Sequence, residues 1–269
     1  MNKTIGILGC GWLGLPLATT LVSNNYKVHG STTTQEKIED LINVGITPFL
    51  IQLSEIGING DIKGFLKDLE IVLINIPPRL RSEPKENYVK KITHLHQAIK
   101  EAKIRTVVFI SSTSVYGNCQ GRITEDTLPQ PNTESGKQLL ASENIFRKDT
   151  VLNTSIIRFG GLIGPKRHPI NQLSGKKDLT NGMDSINLIH LDDCIGLIRT
   201  ILTENYENVL INGVYPLHPT KKEYYTSEAS KKGISPPTYL PVTNKKGDKI
   251  IENTPEIVKI YHYFTSIIS

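Results

Sequence analysis

Short apolar runs alternate with amphipathic stretches along the first half of the chain, and their two periods predict strands alternating with helices. Thr4–Gly9, Tyr26–Ser31, Thr47–Leu53, Glu70–Pro77 and Thr106–Ser112 read as strands, the fourth containing IVLINIP and the fifth TVVFISS. Between them, Trp12–Ser23, Gln35–Val44 and Glu86–Ala102 carry apolar residues at helical spacing; in the last, Tyr88, Val89, Ile92, Leu95, Ile99 and Ala102 follow the pattern. Strands that are apolar on both faces belong in a parallel sheet covered by helices on each side. Right-handed crossovers then favour a doubly wound, Rossmann-type α/β sheet.

The second half is less regular. Ser135–Arg147 and Leu191–Leu202 read as helices, and Thr154–Ile163, Ile186–Ile189 and Val209–Val214 as strands. Gly164–Asn187, rich in Gly, Lys, Asn and Pro, reads as a long functional loop. Beyond Pro216 come a lysine-rich helix, a segment broken at Ser235-Pro236-Pro237, a short run at Lys249–Ile251 and a last helix near Pro255–Tyr263. The predicted organisation is a nucleotide-binding core over 1–165 and a mixed region over 166–269, holding a substrate loop, closing core elements and a small C-terminal α/β lobe.

Composition narrows the class of protein. The 269 residues suffice for one full-sized α/β domain with a small lobe, and 38% hydrophobic against 21% charged residues suits a globular chain with a substantial core. The net charge of +5 is accompanied by a lysine-rich stretch from Lys221 to Lys249. That stretch contains Glu223, Glu228 and Asp248 and lacks interleaved stacking rings, so it reads as solvated surface and no nucleic-acid partner is expected. A mildly basic surface also draws in anionic substrates. Cys10, Cys119 and Cys194 are odd in number and widely spaced, which argues against a disulfide framework or a structural zinc and fits a reducing cytoplasm. Lys3, a short apolar run and Gly9-Cys10 superficially resemble a lipoprotein signal, but the run is short and continues into a helical pattern, as a buried strand entering a loop does. No apolar run reaches the roughly eighteen residues of a membrane span. His94 and His96, two apart, point to different helix faces, so no metal site is expected.

The chemistry begins at Gly9-Cys10-Gly11-Trp12-Leu13-Gly14, which fits G-x-G-x-x-G after a buried strand and before an amphipathic helix. The first glycine permits the tight turn, the second clears space for a pyrophosphate, and the third lets helix and strand pack closely. Backbone N–H groups and the positive end of the helix dipole then face the phosphates. The chain is therefore expected to bind NAD or NADP. The acidic residue that holds the ribose hydroxyls of NAD is missing after the second strand, where Ser31, Thr32, Thr33 and Thr34 stand with Lys37 nearby. Hydroxyl donors and a positive charge suit a 2′-phosphate, so NADP is the preferred expectation; alternatively, these hydroxyls cap the next helix. Ile76 and Pro77 end the fourth strand at the adenosine side, or merely terminate it.

Ser111-Ser112-Thr113-Ser114-Val115-Tyr116-Gly117 after the fifth strand, Arg158-Phe159-Gly160-Gly161-Leu162-Ile163-Gly164-Pro165, and Leu188-Ile189-His190-Leu191-Asp192-Asp193 follow the glycine loop in order. Together they resemble the extended short-chain dehydrogenases/reductases, the epimerase and dehydratase group. Gly11–Ala18, Ser111–Gly117 and Gly164–Pro169 are similar to the bacterial YeeZ group within it, and this likeness runs over nearly the whole chain. The resemblance implies a redox-linked enzyme acting on a small polar or nucleotide-linked substrate, with a helix-mediated homodimer permitted. It maps the family's strand-end serine onto Ser112 and its nicotinamide-ribose lysine onto Lys137. Four residues before Lys137, where the family has the acid/base tyrosine, stands Thr133, whose hydroxyl is too weak an acid to replace a phenol. Tyr116 is the nearest phenol in sequence: either it takes the acid role or it is structural. Ser112 and Lys137 read either as catalytic groups or as a strand-end hydrogen-bonder and a surface lysine. Arg167 and His168 are expected on the substrate side, unless their loop is only solvated. His190, Asp192 and Asp193 read as a structural helix start. Two readings remain open: an atypical oxidoreductase or epimerase/dehydratase-like enzyme, and a non-catalytic NAD(P)-binding sensor or partner-binding protein.

Overall fold

The computed structural model describes residues 3–78, 86–204, 206–241, 247–253, 255–263 and 265–267. Among them, seven strands form the central sheet, in the spatial order Leu210–Gly213, Asn153–Phe159, Thr106–Ser112, Ile71–Ile74, Thr4–Leu8, Lys27–Thr32 and Thr47–Leu50. Thr4–Leu8 pairs in parallel with Lys27–Thr32 and Ile71–Ile74, as do Lys27–Thr32 with Thr47–Leu50 and Ile71–Ile74 with Thr106–Ser112. The order reverses between the first and fourth strands, which places the topological switch point of a doubly wound sheet at the end of Thr4–Leu8. Ile71, Val72, Leu73 and Ile74 are all buried, as continuous apolar strands inside a parallel sheet must be.

The flanking helices bury the faces that their spacing marked. Gly14–Ser23 encloses Leu17, Ala18 and Leu21, and Tyr88–Glu101 encloses Tyr88, Ile92, Leu95 and Ile99. Asn87 caps the second of these, its side chain accepting the Lys90 N–H, so this helix starts inside the expected Glu86–Ala102 span.

Three local features escaped the sequence pattern. The extended run after Thr47 leaves the sheet at Leu50, and Gln52–Ser54 turns into an antiparallel hairpin with Gly57–Asn59. Helix Ile62–Leu66, capped by Asp61, is too short to show a period. The expected strand Thr154–Ile163 breaks at Gly160, where a side chain would meet the Asn187 carbonyl oxygen at 2.5 Å. Beyond the break, Gly161–Ile163 pairs in parallel with Leu188–His190.

The chain divides into two compact units. The first holds Met1–Gly117, Pro131–Arg158 and Ile201–Leu210; the second holds Asn118–Gln130, Phe159–Thr200 and Ile211–Ser269. The division is interleaved, with Ile201–Leu210 returning to the first unit from beyond residue 165. Sheet pairing is the cause: the Ile156 N–H donates to the Val209 carbonyl at 2.8 Å and draws a distant segment back to the first unit. In the second unit, Ile163, Ile170, Ile186, Leu188, Tyr224 and Tyr225 build a core of their own. The segment expected as a long loop therefore packs: it holds helix Ile170–Leu173, and its Leu179 N–H bonds to the Thr238 carbonyl. Lys249–Ile251 pairs in parallel with Gly121–Ile123 within the same unit. Among the described residues, no helix is long and apolar enough to cross a membrane.

Candidate functional site

The glycine loop leaves the first strand at the switch point. Gly9 has φ +100°, and a Cβ there would stand 2.5 Å from the Asn75 carbonyl oxygen. A Cβ at Gly14 would stand 2.1 Å from the Gly9 carbonyl oxygen, whereas one at Gly11 would meet nothing within 4 Å. Two of the three glycines are thus required by the chain's own packing. Gly11 faces open space, which leaves room for the pyrophosphate that the motif implies, so the cradle fits a dinucleotide.

The loop is held from beneath. The Gly9 N–H donates to Ser31 Oγ at 2.9 Å, the Cys10 N–H to the Ser31 carbonyl at 2.8 Å, and the Asn75 side-chain amide to the Gly9 carbonyl at 3.0 Å. Burial pushes the Cys10 thiol up to about 12, partly offset by the Ser31 backbone, so it is a packing residue and no nucleophile. No side chain caps the helix Gly14–Ser23 at Leu13, and its first turn carries no acidic residue. The positive end of the helix therefore meets the loop with no acidic side chain in its own first turn. Leu13 is buried and Trp12 is half-buried beside it.

The expected 2′-phosphate residues separate into two kinds. Ser31 and Thr32 are buried. Ser31 supports Gly9, and Thr32 Oγ1 accepts the Thr34 N–H at 3.1 Å. Thr33 and Lys37 are exposed just beyond the carboxyl end of the second strand. On the other side of the switch point, the Ile76 carbonyl accepts the Tyr88 hydroxyl at 2.7 Å, and Pro77 is exposed. Tyr88 is enclosed, which pushes its pKa well up and leaves it a neutral donor.

At the end of the fifth strand, Ser112 is extended and its Oγ accepts the Ser114 N–H at 3.1 Å, capping the single 3₁₀ turn Thr113–Tyr116. Helix Glu134–Arg147 packs against that turn: a side chain at Gly136 would meet the Ser114 carbonyl oxygen at 2.9 Å. The structure thus brings Ser112 and the helix start bearing Lys137 together, with Lys137 exposed. Thr133 precedes this helix as its cap, accepting the Gly136 N–H at 3.1 Å.

Tyr116, the phenol nearest in sequence, is turned into the interior. It is fully buried, and its hydroxyl accepts from Arg158 Nη1 at 3.0 Å while its ring lies 4.9 Å from the Arg158 guanidinium carbon. The same guanidinium grips both oxygens of Glu143, through Nε at 3.1 and 3.3 Å and Nη2 at 2.6 Å. Ser111 Oγ donates to Glu143 Oε1 at 2.5 Å. Burial pulls the Arg158 pKa down, but Glu143 and Tyr116 outweigh it and the net direction is upward, so the guanidinium keeps its charge. Sequence reasoning quoted Ser111 and Arg158 within motifs but gave neither them nor Glu143 a role. The available signal was a lone arginine inside the apolar strand Asn153–Phe159.

In the second unit, Gly164 and Arg167 exchange two backbone hydrogen bonds, and Arg167 is exposed. His168 Nδ1 accepts the Ile170 N–H, so Nε2 carries the proton and donates to the Tyr224 hydroxyl at 2.9 Å. Burial lowers the His168 pKa, partly offset by Glu228. His190 accepts the Asp192 N–H, while Asp193 accepts from the Tyr261 hydroxyl and the Thr265 N–H, a structural arrangement. In the first unit, His94 and His96 reach different partners, the Glu55 carbonyl and the Asp149 carboxylate. Among the described residues, no cluster of His, Cys, Asp and Glu could hold a metal ion.

A parallel sheet in this order, with a G-x-G-x-x-G loop at its switch point, is a Rossmann-type fold of the kind that holds a dinucleotide. Residues 4–125 match the family described as the NAD binding domain of 6-phosphogluconate dehydrogenase. The chain belongs to the YeeZ family: it is 33% identical over 253 residues to protein YeeZ of Escherichia coli (strain K12), covering 94% of this chain and 92% of that one. It is 25% identical over 208 residues to the uncharacterized UDP-glucose epimerase YtcB of Bacillus subtilis (strain 168), covering 68% and 66% of the two chains. Among solved structures, UDP-glucuronic acid 4-epimerase from Bacillus cereus in complex with NAD shares the fold, with a TM-score of 0.80 at 20% identity over 98% of this chain and 93% of that one. The resemblance read from the motifs is therefore correct at the level of family and fold.

Proposed function

We propose that the protein is an NADP-preferring oxidoreductase that carries out a redox-linked step on a nucleotide-linked sugar. The carrying observation is the loop itself: Gly9 and Gly14 are closed by packing while Gly11 opens onto free space at the switch point. Names among the relatives and structural neighbours, a UDP-glucose epimerase and a UDP-glucuronic acid 4-epimerase, support the substrate class. Exposed Thr33 and Lys37, with no carboxylate at the end of the second strand, favour a 2′-phosphate. When bound, the nicotinamide accepts or donates hydride. Ser112 orients the reacting oxygen, and Lys137, on the helix start packed against the Ser112 turn, holds the nicotinamide ribose. Arg167, with its exposed guanidinium, is the proposed contact for an anionic substrate group, while both ring nitrogens of His168 are engaged by Tyr224 and Ile170. Thr133 is occupied as a helix cap and Tyr116 is enclosed, so the alcohol proton passes to water or to a substrate group.

The cap role of Thr133 also favours a second reading, a protein that binds NADP without turnover. Fluorescence of Trp12, the single tryptophan of the chain, separates the alternatives. NADPH is expected to quench it at concentrations about tenfold lower than NADH, and Lys37→Glu to reverse that order. Reduction of bound NADP by UDP-sugars, slowed by Ser112→Ala and Lys137→Ala, supports the enzyme. Tight binding with no reduction across the sugar panel supports the second reading.

A further inference from the structure

The ion pair Glu143–Arg158 lies wholly inside the first unit, and both residues are 0% exposed. A buried pair of this kind is weak evidence for stability, because desolvation of two charges offsets their attraction. Its connections point to another use. Arg158 stands on the sixth strand of the sheet, Glu143 on the helix that begins beside Lys137, Ser111 next to Ser112, and Tyr116 at the end of the turn that Ser112 caps. Five hydrogen bonds therefore tie four segments together through one guanidinium and one carboxylate.

Resting on the oxidoreductase reading above, we propose that Glu143 and Arg158, with Ser111 and Tyr116, form the positioning device of the reaction site, fixing the Ser112 turn against the helix that carries Lys137. The geometry supplies three constraints. Ser111 alternates with Ser112 across the strand, so anchoring its hydroxyl to Glu143 fixes which way Ser112 faces. The guanidinium is a planar fork, and its two-point grip on Glu143 sets the rotation of the helix as well as its distance. The third arm of the fork holds the Tyr116 hydroxyl at 3.0 Å, which pins the far end of the turn. Tyr116 acts here as an acceptor for a cation, and this assigns it to positioning and not to proton transfer.

Tyr116→Phe tests the device with minimal disturbance, since it removes one oxygen and keeps the ring. Ile99→Val, a buried change on the neighbouring helix Tyr88–Glu101, serves as a control for simple destabilisation. Hydrogen exchange is measured by mass spectrometry on the full chain. Amides of Ser112–Gly117 and Gly136–Lys137 are expected to exchange about tenfold faster in Tyr116→Phe and to be unchanged in Ile99→Val. NADPH affinity read from Trp12 is expected to stay within about twofold, because the glycine loop is untouched. With a UDP-sugar that reduces bound NADP, the rate is expected to fall about tenfold with the shape of its pH profile preserved. Unchanged local exchange would overturn the proposal. So would a loss of about a thousandfold together with disappearance of one limb of the pH profile, which would make Tyr116 the acid. If the unsubstituted protein reduces no cofactor, the oxidoreductase reading fails, while the exchange data still decide whether the network holds the turn.

Discussion

At the scale of single residues, the three glycines of the loop separate structural from functional demand. Gly14→Ala drives a Cβ toward the Gly9 carbonyl oxygen, which cannot move without breaking its bond to Asn75. That variant is expected to lose about 2–3 kcal/mol of stability by overpacking. Gly11→Val meets nothing in the protein, so its melting temperature is expected to match the parent while NADPH affinity falls about a hundredfold through collision with the pyrophosphate. Thermal melts and Trp12 titrations check both; equal destabilisation by the two substitutions would contradict this division. The motif and the division of labour among its glycines were legible in sequence, but the neighbour that closes Gly9 from beneath was not, because Asn75 lies 66 residues away. A second residue-scale prediction concerns Thr154, whose hydroxyl is buried with no hydrogen-bond partner among the described residues. Thr154→Val removes an unsatisfied polar atom at constant shape and is expected to stabilise the protein by about 1 kcal/mol in urea unfolding. A loss of stability would show that the hydroxyl has a partner.

Elements show how short polar signals and long apolar ones differ in what they reveal. The helices Gly14–Ser23, Tyr88–Glu101 and Glu134–Arg147 were legible because their buried faces repeat over several turns. The stretch from Gly164 to Asn187 was not, because its order comes from partners far along the chain. His168 is one such anchor, donating to Tyr224 and lying 3.5 Å from Glu228, both on helix Lys221–Lys231. Burial lowers its pKa below the unfolded value, with Glu228 opposing and Lys232 and Lys231 adding to the decrease. The folded state thus binds this proton less well than the unfolded chain. The contribution is full above the unfolded value of about 6.5 and is lost as pH falls through that value toward the lower folded one. Melting temperature measured from about pH 7.5 to 5 should decline less steeply in His168→Gln than in the parent. Parallel curves would remove His168 from the pH response.

At the scale of the whole molecule, the alternation of apolar strands with amphipathic helices by itself determined a parallel, doubly wound sheet. Once that sheet is granted, the position of G-x-G-x-x-G determined the cofactor loop. Both follow from local periodicity and from backbone rules that hold wherever such a pattern occurs. The family motifs carried the placement of Ser112 and Lys137, and the structure adds that Gly136 packs the two segments together. Tertiary structure alone decided the interleaving of the two units, the packing of the Gly164–Asn187 segment, the role of Thr133 as a helix cap and the enclosure of Tyr116. The last is the most consequential, since in sequence this phenol reads either as an acid or as a structural residue. Its fate was set by Arg158 and Glu143, which approach it from 42 and 27 residues away. A charge pair buried in a low-dielectric core has to satisfy its remaining donors and acceptors from whatever the fold brings near, and no local pattern encodes those neighbours.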